Sequence, residues 1–366
     1  MAAFPNGTSD TTGPAPVAGE VLVPRTLRLP AIEAQFPRRR HPYWPHLQRR
    51  TRTWLRERRL MPADKVARYA DALRYTDLVA GYYVGAADDV VTAIADFSTW
   101  FFVWDDRHDR DAVHGRVACW RLLRNRLHAA LDAPRDHLHH EDPLVAAFAE
   151  CVARIFSHLG PRWNARFARH FHAVIDAYDR EFDNRRTGTV PTVDAYTELR
   201  RHTFGHWVWL DLLELAAGQE LPAGVRGTPA YRRAALASQD FSAWYNDLCS
   251  LPKEIAGDEV HNLGISLIHH EGLSLEEAVA EVHRRTASRV TAFLAAEKDV
   301  LALAAATEAR GGADVALAAG VRACLSNMRN WFSSVYWFHH ESKRYRVDTW
   351  DDRSTPPYVS DQAGDT

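Results

Sequence analysis

Apolar residues recur at three- and four-residue spacing along nearly the whole of this 366-residue chain. That period belongs to helices buried along one face. It is plain in VARYADALRYTDLVAGYY, PLVAAFAECVARIFSHL, NARFARHFHAVIDAYDREF and SLEEAVAEVHRRTASRVTAFLAAEKDVLALAA. Strand-like alternation is nearly absent, so the chain must pack helix on helix and the fold class is all-α. Gly, Pro and polar clusters mark loops at 133–143, 184–191, 218–229 and 310–314. Ser274 followed by Glu277 is a capping box that opens a long helix. No repeat or composition break divides the middle. The expectation is one domain of ten or more helices over residues 26–350. A Pro-, Gly- and Thr-rich arm (1–25) precedes it, and an irregular tail (351–366) follows as a candidate to order on closure of a site.

Composition excludes several classes. A hydrophobic fraction of 46% against 25% charged is not that of a disordered chain. A net charge of -2 lacks the basic excess of a nucleic-acid binder. No stretch approaches the ~20 apolar residues that span a bilayer, and the N-terminus lacks the basic-then-apolar pattern of a secretory signal. The four cysteines, 119, 151, 249 and 324, form no C-x-x-C pair and read as free, buried thiols of a cytoplasmic protein. Twelve Trp, twelve Tyr and fifteen Phe stand against three Met, which supplies rigid, electron-rich faces and few flexible fillers.

In FSTWFFVWDDRHDRD, Asp105, Asp106 and Asp109 form a D-D-x-x-D pattern. Residues 105 and 109 share a helix face, where like charges are unfavourable unless a cation lies between them. Oxygen-only ligands suit Mg²⁺. Phe101 and Phe102 lie one turn earlier, so an apolar face ends in carboxylates. Asp176, Asp179 and Asp183 also share a face and read as surface charges paired with Arg180.

In WYNDLCSLPKEIAGDEVHN, Asn246, Ser250 and Glu254 recur every four residues and project to one side of a helix. Amide oxygen, hydroxyl and carboxylate make a second oxygen set for Mg²⁺. Lys253 adds a cation for a phosphate. Pro252 should kink or break this helix.

Further cations occur at Arg200–Arg201 and at Arg344, followed by Tyr345; guanidinium groups fit phosphate oxygens bidentately. Aromatic residues accompany both segments. Phe204 lies one turn beyond Arg200, with Trp209 close by, and Trp331 and Phe338 share a face with Val335.

These motifs resemble the metal- and diphosphate-binding signatures of class I terpene synthases of the bacterial type. The likeness runs from about Leu27 to Val359 and extends well beyond the short motifs, to WFFVWDDRHDRD and NMRNWFSSVYWFHHES. It implies a single-domain class I terpenoid synthase α-helical bundle around a central cavity. The substrate would be farnesyl diphosphate, cyclised to a polycyclic hydrocarbon. Three Mg²⁺ are expected, with Asp105 bridging two and Asn246, Ser250 and Glu254 holding the third. Asp106 and Asp109 would support the acidic motif, Asp109 by hydrogen-bonding a donor. Arg200, with Arg201 as alternative, would sense diphosphate, and Lys253, Arg344 and Tyr345 would complete the closed site. Phe101, Phe102, Phe204, Trp209, Trp331 and Phe338 would form the cavity contour. Whether the helix breaks at 204 or 205 is open. The protein would be a monomer or homodimer.

Three alternatives remain at this level. A prenyl-chain elongating synthase would carry a second D-D-x-x-D, but Asp351–Asp352 lacks the third Asp. A non-catalytic helical lipid-binding protein would need a cavity and no metal set. A zinc site of His137, His139 and His140 has no Cys support.

Overall fold

The computed structural model describes residues 29–345, and the N-terminal arm and C-terminal tail, with Asp351–Asp352, lie outside the described residues. The first helices are α1 (Pro30–Gln35), α2 (Trp44–Glu57), α3 (Ala63–Leu73), α4 (Tyr75–Tyr82) and α5 (Asp88–Val113). They are followed by α6 (Val117–Asp132), α7 (Pro143–Phe156), α8 (Pro161–Thr187), α9 (Val193–Thr203) and α10 (His206–Ala216). The last are α11 (Ala223–Arg226), α12 (Pro229–Ala256), α13 (Leu263–Glu271), α14 (Leu275–Glu308) and α15 (Ala313–Glu341). Short 3₁₀ turns cover Pro134–His137 and Lys343–Tyr345, and no strand occurs among the described residues.

Local chemistry sets the helix starts. Proline occupies the first turn of α2, α7, α8 and α12, where its missing N–H costs nothing. Asp142, Thr192, Thr228 and Asn262 cap α7, α9, α12 and α13 through their side chains. Ser274 and Glu277 form the reciprocal capping box of α14. Pro252 neither breaks α12 nor ends it; the helix runs on to Ala256.

α12 packs along α14, α15 lies against both, and α4 lies on α15. A Cβ on Gly81 of α4 would collide with Ser334 of α15, so glycine allows this close approach. α5 packs on α4, α7 and α8, while α8 packs on α9 and α10. The buried apolar side chains form one continuous cluster. Within this arrangement α4, α5, α8, α9, α10 and α12 surround a cavity of about 580 Å³.

The α9–α10 junction shapes one wall. α9 stops at Thr203, and Gly205 takes φ +79° before α10 begins at His206. The break left open by the sequence therefore falls at Gly205. A Cβ there would lie 3.1 Å from Nε1 of Trp209. That indole N–H donates to the carbonyl of Phe204 at 2.8 Å, fixing the ring.

All four cysteines are free, but only Cys151 and Cys324 are buried; Cys119 is exposed and Cys249 half-buried. Asp176, Asp179 and Asp183 do not pair with Arg180. Asp179 accepts from Trp120 (2.8 Å) and Arg124 (2.6 Å), Asp183 from Arg186 (3.3 Å), and Asp176 faces His128 (3.3 Å). The neighbouring α6 provides the partners of Asp176 and Asp179, and α8 itself, three residues on, that of Asp183.

Candidate active site

The C-terminal half of α5 carries the acidic motif into the cavity mouth. Asp105 and Asp109 line the cavity together, four residues apart on one face. Burial pushes Asp105 up to about 6, with the nearby Asp109 carboxylate adding to the shift and Arg344 opposing it. Tyr178 of α8 donates to Asp105 Oδ1 at 2.8 Å. Asp106 points elsewhere. It is buried and accepts from Arg344 at 3.0 Å and from the Tyr69 hydroxyl at 3.1 Å.

From α12, Asn246, Ser250 and Glu254 line the same cavity. Asn246 Oδ1 accepts from Arg200 at 2.7 Å, and its amide N–H donates to the Tyr345 hydroxyl at 2.9 Å. Glu254 is pushed up to about 7, chiefly by burial and next by the Glu259 charge. Crowded carboxylates whose protons are held tightly are the arrangement a cation relieves. The donors are oxygens only, so the residues fit a hard divalent ion.

The residues expected to bind diphosphate converge as well. Arg200, Lys253, Arg344 and Tyr345 all line the cavity. Arg200 is tied to Asp247 at 2.9 Å. Arg201 instead faces Asp240 (3.0 Å) and Glu198 (2.8 Å) and does not line the cavity. Arg344 reaches Asp105 (3.3 Å), Asp106 and the Tyr75 hydroxyl (2.7 Å).

Four of the six singled-out aromatics, Phe101, Phe102, Phe204 and Trp209, line the cavity. Trp331 and Phe338 belong to α15, which stands behind the lining. Trp331 is fully buried against Tyr82, ring centroids 5.4 Å apart, and Phe338 packs 6.1 Å from Tyr75 and 6.0 Å from Tyr345.

Two groups of oxygen-bearing side chains, several cationic and hydroxyl donors and four of the singled-out aromatic residues thus line one cavity. Residues 96–292 match the family Terpene synthase family 2, C-terminal metal binding. Over 363 residues, 99% of each chain, the sequence is 66% identical to epi-isozizaene synthase of Streptomyces coelicolor. The chain belongs to the bacterial class I terpene synthases. It is 27% identical over 320 residues to pentalenene synthase of Streptomyces avermitilis, covering 86% of this chain and 92% of that one. The structure of germacradien-4-ol synthase from Streptomyces citricolor superposes with a TM-score of 0.70 at 22% identity, covering 84% and 96% of the two chains, and shares the fold. As a member of this family, the synthase acts on a prenyl diphosphate with a divalent metal. No helix among the described residues is long and apolar enough to cross a membrane.

Sequence reasoning missed the partners that hold this terpene synthase's site together. Arg185 of α8 places Nη1 3.0 Å from Asp109, 2.8 Å from Glu181 and 3.1 Å from His108 Nδ1. Its Nε donates to both oxygens of Glu259, at 3.0 and 2.9 Å. His108, Asp109 and Glu181 could themselves surround an ion, but the guanidinium already sits among them. Burial alone would raise Asp109, yet Arg185 and His108 outweigh it and hold Asp109 well below the usual carboxylate range. Asn262 donates to Glu254 at 2.7 Å and to the Asp247 carbonyl at 2.7 Å, bracing the triad's last member. His339 Nδ1 donates to the Val335 carbonyl at 2.8 Å, which leaves Nε2 to accept from the Asn246 amide at 3.1 Å. Apart from the i,i+4 pairs Arg185–Glu181 and His339–Val335, these contacts join different elements, and no local spacing reveals them.

Proposed function

We propose that this synthase is an Mg²⁺-dependent sesquiterpene cyclase that ionises farnesyl diphosphate and closes the carbocation to epi-isozizaene. The observation that carries the reading is the convergence of both oxygen sets, Arg200, Lys253 and the Arg344–Tyr345 pair at one mouth of an aromatic-walled cavity. The 66% identity to epi-isozizaene synthase supports the product.

Asp105 on α5, and Asn246, Ser250 and Glu254 on α12, would hold the Mg²⁺ ions. Bound divalent ions supply positive charge that makes diphosphate a better leaving group. Arg200, Lys253 and Arg344 donate charge-assisted hydrogen bonds to the diphosphate oxygens, with the Tyr345 hydroxyl beside them. The allylic C–O bond breaks, its electron pair leaves with diphosphate, and the hydrocarbon keeps the cation. Phe101, Phe102, Phe204 and Trp209 face that cation with π electrons and offer no nucleophile. Each desolvated ring contact contributes up to about 2 kcal/mol, enough to reorder competing closures. A cavity of 580 Å³ lies within the size range of small-molecule sites, and its walls fold the chain around the reacting carbons. The released diphosphate takes the final proton.

Incubation with farnesyl diphosphate and Mg²⁺, followed by gas chromatography and mass spectrometry, tests the reading. Turnover only with added isopentenyl diphosphate would instead establish chain elongation.

A further inference from the structure

α6 and α8 lie side by side, and each presents the same short pattern: His128-Ala-Ala-Leu-Asp132 on α6 and His172-Ala-Val-Ile-Asp176 on α8. The two units face each other reciprocally. His172 Nε2 lies 2.9 Å from Asp132 Oδ1, and His128 Nε2 lies 3.3 Å from Asp176 Oδ1. The two Nδ1 atoms meet at 2.7 Å, with the rings 4.9 Å apart and nearly parallel.

The proton count of this arrangement is incomplete. A carboxylate only accepts, so each Nε2 must carry the N–H that faces it. A neutral imidazole has one N–H, which leaves a lone pair on each Nδ1. Two lone pairs directed at each other across 2.7 Å repel unless a cation lies between them. A carboxylate holding the far nitrogen of an imidazole is also the usual support of a metal-ligating histidine, because it fixes the tautomer and raises the basicity of the other nitrogen. Both histidines are half-buried, with side-chain exposures of 27% and 28%, so an ion can reach them.

We propose that His128 and His172 form a metal-binding site for a nitrogen-preferring divalent ion of the Zn²⁺, Ni²⁺ or Cu²⁺ class, with Asp132 and Asp176 as the supporting carboxylates. At Zn–N distances of about 2.0 Å, tetrahedral geometry separates the two nitrogens by roughly 3.3 Å, so the rings need open only slightly. Water completes the coordination. The site is chemically distinct from the cavity mouth, where the donors are oxygens suited to Mg²⁺. It links α6 to α8 and plays no part in the cyclisation.

The test uses untagged, metal-stripped protein. One equivalent of Cu²⁺ should give pulsed-EPR modulation from two imidazoles, a signature the oxygen-only cavity ligands cannot produce. The modulation should be lost in the double variant His128→Gln/His172→Gln, while Mg²⁺-dependent turnover and the far-UV spectrum stay as in the wild type. Zn²⁺ should raise the melting temperature of the wild type by several degrees and leave the double variant unmoved. Absence of two-imidazole modulation in the wild type, or its persistence in the double variant, overturns the proposal. So does nuclear magnetic resonance showing a bridging proton between the rings that Zn²⁺ does not displace.

Discussion

At the residue scale the proposed metal set on α12 rests on three oxygen-bearing side chains, Asn246, Ser250 and Glu254. Replacing Asn246 and Ser250 with alanine removes two of the three proposed donors. The double variant Asn246→Ala/Ser250→Ala should keep its helicity and lose turnover by at least about 10²-fold, measured as diphosphate release. Persisting release would contradict the ligand assignment. Phe101 lies edge-on to Trp209, ring centroids 5.6 Å apart. Replacing Phe101 with alanine, or Trp209 with a small residue, should change which hydrocarbons form more than it slows ionisation. An unchanged product distribution would remove these rings from the contour. Gly205→Ala forces a side chain into φ +79° and against the Trp209 indole. The left-handed backbone alone costs about 1–2 kcal/mol, readable as a lower denaturant midpoint, and a displaced Trp209 should also alter the product mixture. That Asp105 and Asp109, and Asn246, Ser250 and Glu254, face one cavity was legible because each set repeats every four residues on one helix. Tyr178, Arg185, Glu259, Asn262 and His339 were not, because they meet these residues from outside α5 and α12. Trp331 and Phe338 share a face as their spacing implies, but periodicity cannot tell the first layer of a cavity from the second.

At the scale of elements, α5 and α12 bring the two ligand sets to one mouth, and α8 ties them together through Arg185. This side chain spans Asp109 on α5, Glu181 on its own helix and Glu259 in the segment after α12. Glu259 in turn accepts from the backbone N–H groups of Val260 and His261, at 2.8 and 3.0 Å, so the guanidinium helps order the chain beside Glu254. Arg185→Met would leave Glu181 buried, and Asp109 partly exposed, without their cation. Losing the partner of the buried Glu181 costs up to about 3 kcal/mol, while the solvent-screened Asp109 pair adds little, so the melting temperature should fall by several degrees. The variant's stability should also depend more on added Mg²⁺ than the wild type's, because His108, Asp109 and Glu181 could then hold an ion. A melting temperature unchanged in both respects would show that the bridge is not holding these elements. The start of α14 was readable from its Ser274–Glu277 capping box. The continuity of α12 through Pro252 was not, because tertiary packing rather than local propensity decides it.

At the scale of the whole molecule, an all-α chain patterned for one-sided burial forms helices around an aromatic-walled cavity, and its near-neutral charge conceals acidic and basic groups gathered at one end. Water must be kept from a carbocation, so the mouth has to close over bound substrate. The segments beside the cavity at 253–262 and 343–345 are the described candidates. Mg²⁺ with inorganic diphosphate should slow their amide hydrogen exchange by about tenfold or more, and unchanged exchange would count against closure. The most direct test of the account is the reaction with farnesyl diphosphate and Mg²⁺ as the only additions, its volatile products resolved by gas chromatography and mass spectrometry. A cyclic sesquiterpene hydrocarbon dominated by epi-isozizaene, with release of diphosphate, is expected; linear alcohols alone, or no turnover without isopentenyl diphosphate, would show that the cavity does not cyclise farnesyl diphosphate.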